Sequence, residues 1–74
     1  MNRIVVKVRC DQQGDGTMSP RELIWPDGRS WEIRKTLHMA APVENEFKGI
    51  RYTVIIGSAE RYIYKAGHEW YVMA

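Results

Sequence analysis

Hydrophobic positions alternate with polar ones over most of this chain, the period-2 signature of strands that bury one face. Ile4, Val6, Val8 and Cys10 alternate with Val5, Lys7 and Arg9. A second run over 21–25 puts Leu23 and Trp25 on one face, Glu22 and Ile24 on the other. A third starts at Arg29, with Trp31, Ile33, Leu37 and Met39 on one parity. Ser30, Glu32, Arg34, Thr36 and His38 take the opposite parity. Lys35 interrupts the apolar side, which predicts a bulge or bend at that point. A short helix over 35–41 is the competing reading, because Leu37, Ala40 and Ala41 also fit helical spacing. Ile50, Tyr52, Val54 and Ile56 alternate with Arg51, Thr53 and Ile55, and the apolar residues on both faces predict a central strand. Two shorter runs close the chain: 61–65, where Tyr62 and Tyr64 oppose Ile63, and 69–73.

Turn chemistry separates these runs. Pro26-Asp27-Gly28 is the sharpest signal. Proline presets φ, aspartate caps the turn, and glycine takes the position with φ above zero, as a tight hairpin needs. Gly57-Ser58 and Ala66-Gly67-His68 predict two further turns. Residues 11–19 are dense in turn formers and read as a loop, as does the proline-marked stretch 41–46. Connections this short leave no room for βαβ crossovers, so the strands should run antiparallel. In so short a chain the sheet must curl on itself to bury one face and hide its edges. The expected fold is therefore mainly β: one domain over 1–74, a small antiparallel barrel or strongly curled sheet of five to six strands, SH3-like or OB-like.

Size makes such a fold thin in stability, since a domain near this length buries only about 60% of its unfolded surface. Cys10 is the one cysteine, which excludes an intrachain disulfide; it reads as a small buried hydrophobe rather than a reactive thiol. The load falls on Trp25, Trp31, Phe47, Tyr52, Tyr62, Tyr64, Trp70 and Tyr71. Each ring can bury about 150–250 Å². Homodimerisation is the other remedy. No run approaches the roughly 18 apolar residues of a membrane span. The first residues carry a charge inside their apolar run and no small-residue cleavage site, so they are not read as a signal peptide, and a cytoplasmic location with no membrane partner is expected. The net charge of +2 permits a nucleic-acid partner without arguing for one.

Candidate chemistry narrows quickly. Asp11, Gln13, Asp15, Gly16, Ser19 and Glu22 fall on the ligand spacing of an EF-hand calcium loop. That loop needs a helix on each side, whereas its flanks here are β-patterned and broken by Pro20 and Pro26. His38 and His68 lie on different elements with no cysteine or carboxylate at a ligand spacing. There is no Gly-x-Ser-x-Gly elbow, no phosphate-cradling glycine loop and no Cys-x-x-Cys pair. Glu22 and Glu32 are placed to sit opposite one another across the 26–28 hairpin, with Arg21, Arg29 and Arg34 as neighbours that would neutralise them. No catalytic residue, metal or cofactor is expected.

What remains is an interleaving of cations and rings: Arg51-Tyr52, Arg61-Tyr62-Ile63-Tyr64-Lys65 and Trp70-Tyr71. Single-stranded nucleic acid binds surfaces of this kind, cations tracking phosphates while rings stack on bases. Arg51, Arg61, Tyr62, Tyr64, Lys65 and Tyr71 are thus the candidate binding residues, for nucleic acid first and for a protein partner or a second copy otherwise. Adjacent residues on a strand face opposite sides. The pattern supports binding only if Tyr62 and Tyr64, or Tyr71, face outward; if all the rings turn inward, they are simply core. Arg3, Lys7 and Arg9 form a second basic row on the polar parity of the first strand.

The segment Leu23-Ile24-Trp25-Pro26-Asp27-Gly28-Arg29-Ser30-Trp31-Glu32-Ile33, followed by Gly49-Ile50-Arg51-Tyr52-Thr53 and Trp70-Tyr71-Val72, resembles a group of short uncharacterised bacterial proteins. That group looks like Trp-x-Asp-Gly-Arg-x-aromatic-Glu-Ile, then Gly-Ile-Arg-Tyr-Thr, then Trp-aromatic-Val. The likeness spans about residues 20–73. It implies a bacterial, cytoplasmic setting and carries no activity or site. In that group the loop equivalent to 11–19 is shorter and less acidic, which weighs further against calcium.

Overall fold

Six antiparallel strands follow one another as β1 (Arg3–Gln12), β2 (Met18–Ile24), β3 (Ser30–Ala40), β4 (Ile50–Ile56), β5 (Ala59–Ala66) and β6 (Glu69–Met73). They come from a computed structural model, which describes residues 2–16, 18–41 and 49–73. The expected loop over 41–46 and the ring of Phe47 therefore lie outside the described residues, apart from Ala41. Each strand pairs with its neighbour in sequence and β1 pairs with β6, closing the barrel. Closure works because β1 and β3 are long enough to serve two partners. The first part of β1 (Arg3 to Val6) lies on β6, and its second part (Lys7 to Gln12) lies on β2. Likewise β3 pairs through Ser30–Glu32 with β2 and from Ile33 onward with β4.

The interior follows the alternation. Val6, Leu23, Ile33, Tyr52, Val54, Ile63, Trp70 and Val72 form the buried cluster, with Ile4, Val8, Cys10, Trp25 and Ile56 packed against it. Tyr52 and Trp70 are its large fillers, ring centroids 5.2 Å apart. The question the alternation left open, whether the rings are all core, is thus answered for the described ones: Tyr52 and Trp70 belong to the buried cluster and other rings lie outside it.

Bulges adjust the faces. The break expected at Lys35 is a register shift between Ile33 and Lys35, and a second shift follows between Thr36 and His38. Residues 35–40 continue β3, so the helical alternative does not form. The first shift changes the parity read from sequence at Thr36, and the second restores it, so that Met39 pairs with Tyr52. Thr36 now pairs with Val54 on the inner side, and Leu37 is exposed. The Thr36 hydroxyl is buried without a hydrogen-bond partner. In β2, buried Pro20 sits opposite Cys10 at a third shift, where a missing N–H is tolerated. The ladder also runs further than the loop expected at 11–19: Asp11 and Gln12 belong to β1, and Met18 and Ser19 to β2. Asp11 stays on the strand face because Arg21 binds its carboxylate at 3.1 Å.

The hairpin at 25–29 forms as its residues dictate, except that Trp25 belongs to the turn rather than the strand. The Gly28 N–H donates to the Trp25 carbonyl (3.0 Å) and the Trp25 N–H to the Arg29 carbonyl (2.8 Å). Gly28 takes φ +93°, the left-handed step of a three-residue hairpin loop. Asp27 accepts from the Arg29 backbone N–H at 3.0 Å and from its Nε at 2.7 Å. These bonds, the backbone one foremost, hold the Asp27 carboxyl below its ordinary range. Gly49 has a different constraint. At φ +85° it passes so close to Lys65 that any Cβ would collide with that residue's carbonyl.

Two outcomes follow. Gly28→Ala should cost about 1–2 kcal/mol, the usual left-handed penalty, whereas Gly49→Ala should cost more because backbone must also move; urea titration of both variants ranks them. Asp27 has a lower pKa folded than unfolded, so its contribution is complete above the unfolded value and is lost as pH falls through the folded one. The stability gap between wild type and Asp27→Asn should therefore shrink on acidification below the ordinary aspartate range, as thermal melts across that range will report.

Candidate functional site

Strand parity decides where each cation and ring goes. Arg51, Tyr64, Tyr71 and Val5 lie in one cross-strand row over β4, β5, β6 and β1. Their chain neighbours Tyr52, Ile63, Trp70, Val72 and Val6 are all in the core, so the row points outward. Tyr64 and Tyr71 stack with centroids 5.0 Å apart and planes 8° from parallel. The Arg3 guanidinium lies 4.0 Å from the Tyr71 ring centroid and also binds Glu69 at 2.7 Å. On the other side Arg51 sits over the Tyr62 ring at 4.6 Å. The result is a belt of rings and guanidinia across the outside of four strands. Its members differ sharply in access: Tyr62 is 52% exposed, Tyr64 8% and Tyr71 3%. The belt therefore offers one open ring, while the stacked pair works as a small outer core.

A second ring–cation assembly occupies the barrel lip formed by the 25–29 and 57–58 turns. Arg61 faces the inner side opposite Val54, but so close to the lip that its guanidinium reaches the Trp31 ring, 5.2 Å from the centroid. Trp31 packs edge-on against Trp25 at 5.0 Å, and Arg29 lies 5.9 Å from the Trp25 ring. Beside them runs a shallow groove of about 450 Å³, lined by Trp31, Glu32, Arg34, Ile56 and Arg61 among others. Arg34 is fixed there by a 2.9 Å hydrogen bond to the Gly57 carbonyl.

The six candidate residues are thus divided. Arg51, Tyr62, Tyr64 and Tyr71 come together on the outer face. Arg61 joins the lip. Lys65 goes to the opposite end, inner parity, its ammonium 5.6 Å from the Trp70 ring. It is also near Cys10: burial pushes that thiol up, and the Lys65 charge partly opposes the shift. A thiol so placed stays protonated near neutrality.

The second basic row is largely spent. Arg3 is paired with Glu69, while Arg9 reaches Asp11 and Glu22 at 3.5 Å each. The same pairs occupy the first and last positions of the calcium-like spacing, since Asp11 is also bound by Arg21. Among the described residues no group of three His, Cys, Asp or Glu side chains comes together for a metal. His38 and His68 are both exposed. Glu22 and Glu32 do stand opposite each other across the β2–β3 ladder.

Sequence reasoning missed Arg29, Trp31, Glu32 and Arg34 as site residues. The usable signal was position along the strand. Trp31 lies two residues past the end of the hairpin turn at Arg29, so its inward ring is at the lip, half-covered. Arg61 lies two residues past Ala59, the first residue of β5, with the same consequence. Comparison with protein-family models, curated proteins and solved structures finds no match. The functional reading therefore rests on this geometry.

Removing the two kinds of outer ring should have opposite consequences. Tyr71→Ala should destabilise the fold by about 3 kcal/mol, in the range for a buried ring, whereas Tyr62→Ala should stay within about 0.5 kcal/mol of wild type. Chemical denaturation of the two variants distinguishes them.

Proposed function

We propose that this small barrel is a non-enzymatic binding module for single-stranded nucleic acid, used in the manner of SH3-like and OB-like barrels, a fold-level analogy. The observation that carries the reading is the placement of two accessible ring–cation pairs at the start of β5. Tyr62 with Arg51 stands on the outer face, and Arg61 with Trp31 stands at the adjoining lip. Tyr62 and Arg61 are consecutive residues, so a strand crossing the lip would meet both pairs. A base stacked on an open ring contributes about 1–3 kcal/mol, and guanidinia beside it hold the phosphates. The three outward tyrosines also meet the condition that alternation set for a binding surface, although two of them are covered and leave Tyr62 as the stacking platform.

A second reading, self-association or docking of a protein partner, is favoured by one feature. Val5 (51% exposed) and Met73 (41%) lie with Tyr62 on the outer side, an apolar addition that nucleic acid does not require. Light scattering at high concentration should then show a dimer, and a monomer throughout would remove self-assembly.

For the nucleic-acid reading the test is fluorescence anisotropy with a labelled single strand. Affinity should fall with salt at a logarithmic slope of about −2, as for about three phosphate contacts. Tyr62→Ala should weaken binding about tenfold at unchanged stability. Absence of binding at low salt would refute it.

A further inference from the structure

The lip groove contains a carboxylate that the stability of the barrel does not explain. Glu32 stands directly across from Glu22 in the β2–β3 ladder, and like charges so placed destabilise a sheet. Arg9 relieves Glu22 at 3.5 Å. No cation among the described residues lies within ion-pair distance of Glu32. Both arginines of its groove are held by something else: Arg34 by the Gly57 carbonyl and Arg61 by the Trp31 ring. On the other flank of Glu32 stand Arg9 and Arg21, and both of these are engaged by Asp11. Glu32 is exposed and lines the groove together with Trp31, Ile56, Arg34 and Arg61.

This set does not suit phosphate alone, because a carboxylate lining the same groove as the two arginines repels an anion. It is right for a nucleotide. A flat base can lie against Ile56 and the planar guanidinium that Arg61 holds over the Trp31 ring, its phosphates can reach the exposed Arg34, and its edge then faces Glu32. An ionised carboxylate only accepts hydrogen bonds, and it accepts two parallel N–H donors best. Guanine presents such a pair, the ring N1–H and the exocyclic N2–H, side by side on its Watson–Crick edge. Adenine and cytosine present an amino group beside an acceptor that the carboxylate would repel. Thymine and uracil present an imino N–H between two acceptors.

We infer that the lip groove is a guanine seat within the single-strand site, with Glu32 as its specificity-determining residue. The inference rests on the nucleic-acid reading above and adds a base preference to it. Unstacked bases of single strands are commonly recognised on this edge.

The test uses the full chain and two labelled single-stranded DNAs of equal length, about ten nucleotides, one all thymine and one alternating guanine with thymine. The guanine-containing strand should bind about tenfold more tightly, as one good bidentate contact allows. Glu32→Gln should erase that preference and leave thymine-strand affinity equal or higher, because a negative charge is removed. Guanosine monophosphate should quench the tryptophan emission of the wild type more than uridine monophosphate does, and this difference should vanish in the variant. Glu32→Gln relieves a like-charge pair at an exposed position, so the fold is retained, which circular dichroism checks. Equal binding of the two strands, or a preference that survives Glu32→Gln, would overturn the guanine seat while leaving the nucleic-acid reading intact. Binding of neither strand would overturn both.

Discussion

The pairing of β1 with β6 is the interaction on which the other features of this barrel depend. Without it both strands would end as open edges, each a row of unpaired backbone donors and acceptors. The seam is held from both sides. Inside, Val6 meets Trp70 and Ile4 meets Val72. Outside, Val5 pairs with Tyr71, which lies beneath Arg3, and Arg3 is bound in turn to Glu69. No disulfide staples the chain, so side-chain packing on the two faces must do that job. The outer stack of Tyr64 on Tyr71 extends the same support across β5 and β6.

Closure also sets how many rings the interior can take. With six short strands the inner space is filled by Tyr52, Trp70 and aliphatic side chains, and further rings are left to the outer face and the lip. Some of these have become structural again, sheltered by their neighbours. Others keep a guanidinium against them: Tyr62, open, with Arg51, and Trp31, half-buried, with Arg61. Rings that look alike in composition are thus divided between covered positions and open ones. A buried tyrosine and an open one stand two positions apart on β5.

Much of this was legible in the alternation. Period-2 runs placed all six strands, and Pro26-Asp27-Gly28 marked the hairpin that forms there. Lys35 flagged the bend, since a lysine on an apolar parity has few other accounts. The parity rule also anticipated that Tyr62 and Tyr64 would share a face, and that Arg61 and Lys65 would not join them. What alternation could not supply is access. Tyr62 and Tyr64 have the same parity and neighbouring positions, and their exposure differs because Tyr64 meets Tyr71 across the ladder while Tyr62 lies beyond the last β5–β6 pair. The second bulge was equally hidden: after the shift at Lys35 had put Thr36 on the inner side, a register shift between Thr36 and His38 returned Met39 to the parity of Ile33, and local composition does not announce it. The lip residues escaped because their grouping comes from the end of the barrel, a property of closure rather than of any one strand.

If the open ring–cation pairs at the start of β5 form one binding surface, a single strand must touch them together. The most direct test is an amide chemical-shift titration of the isotopically labelled protein with a single-stranded oligonucleotide. Shifts should concentrate at Trp31, Glu32, Arg61 and Tyr62, while Cys10, Lys65 and Gly67 at the opposite end of the barrel stay unmoved. Shifts centred on that opposite end, or no shifts at all, would contradict a binding surface at the lip.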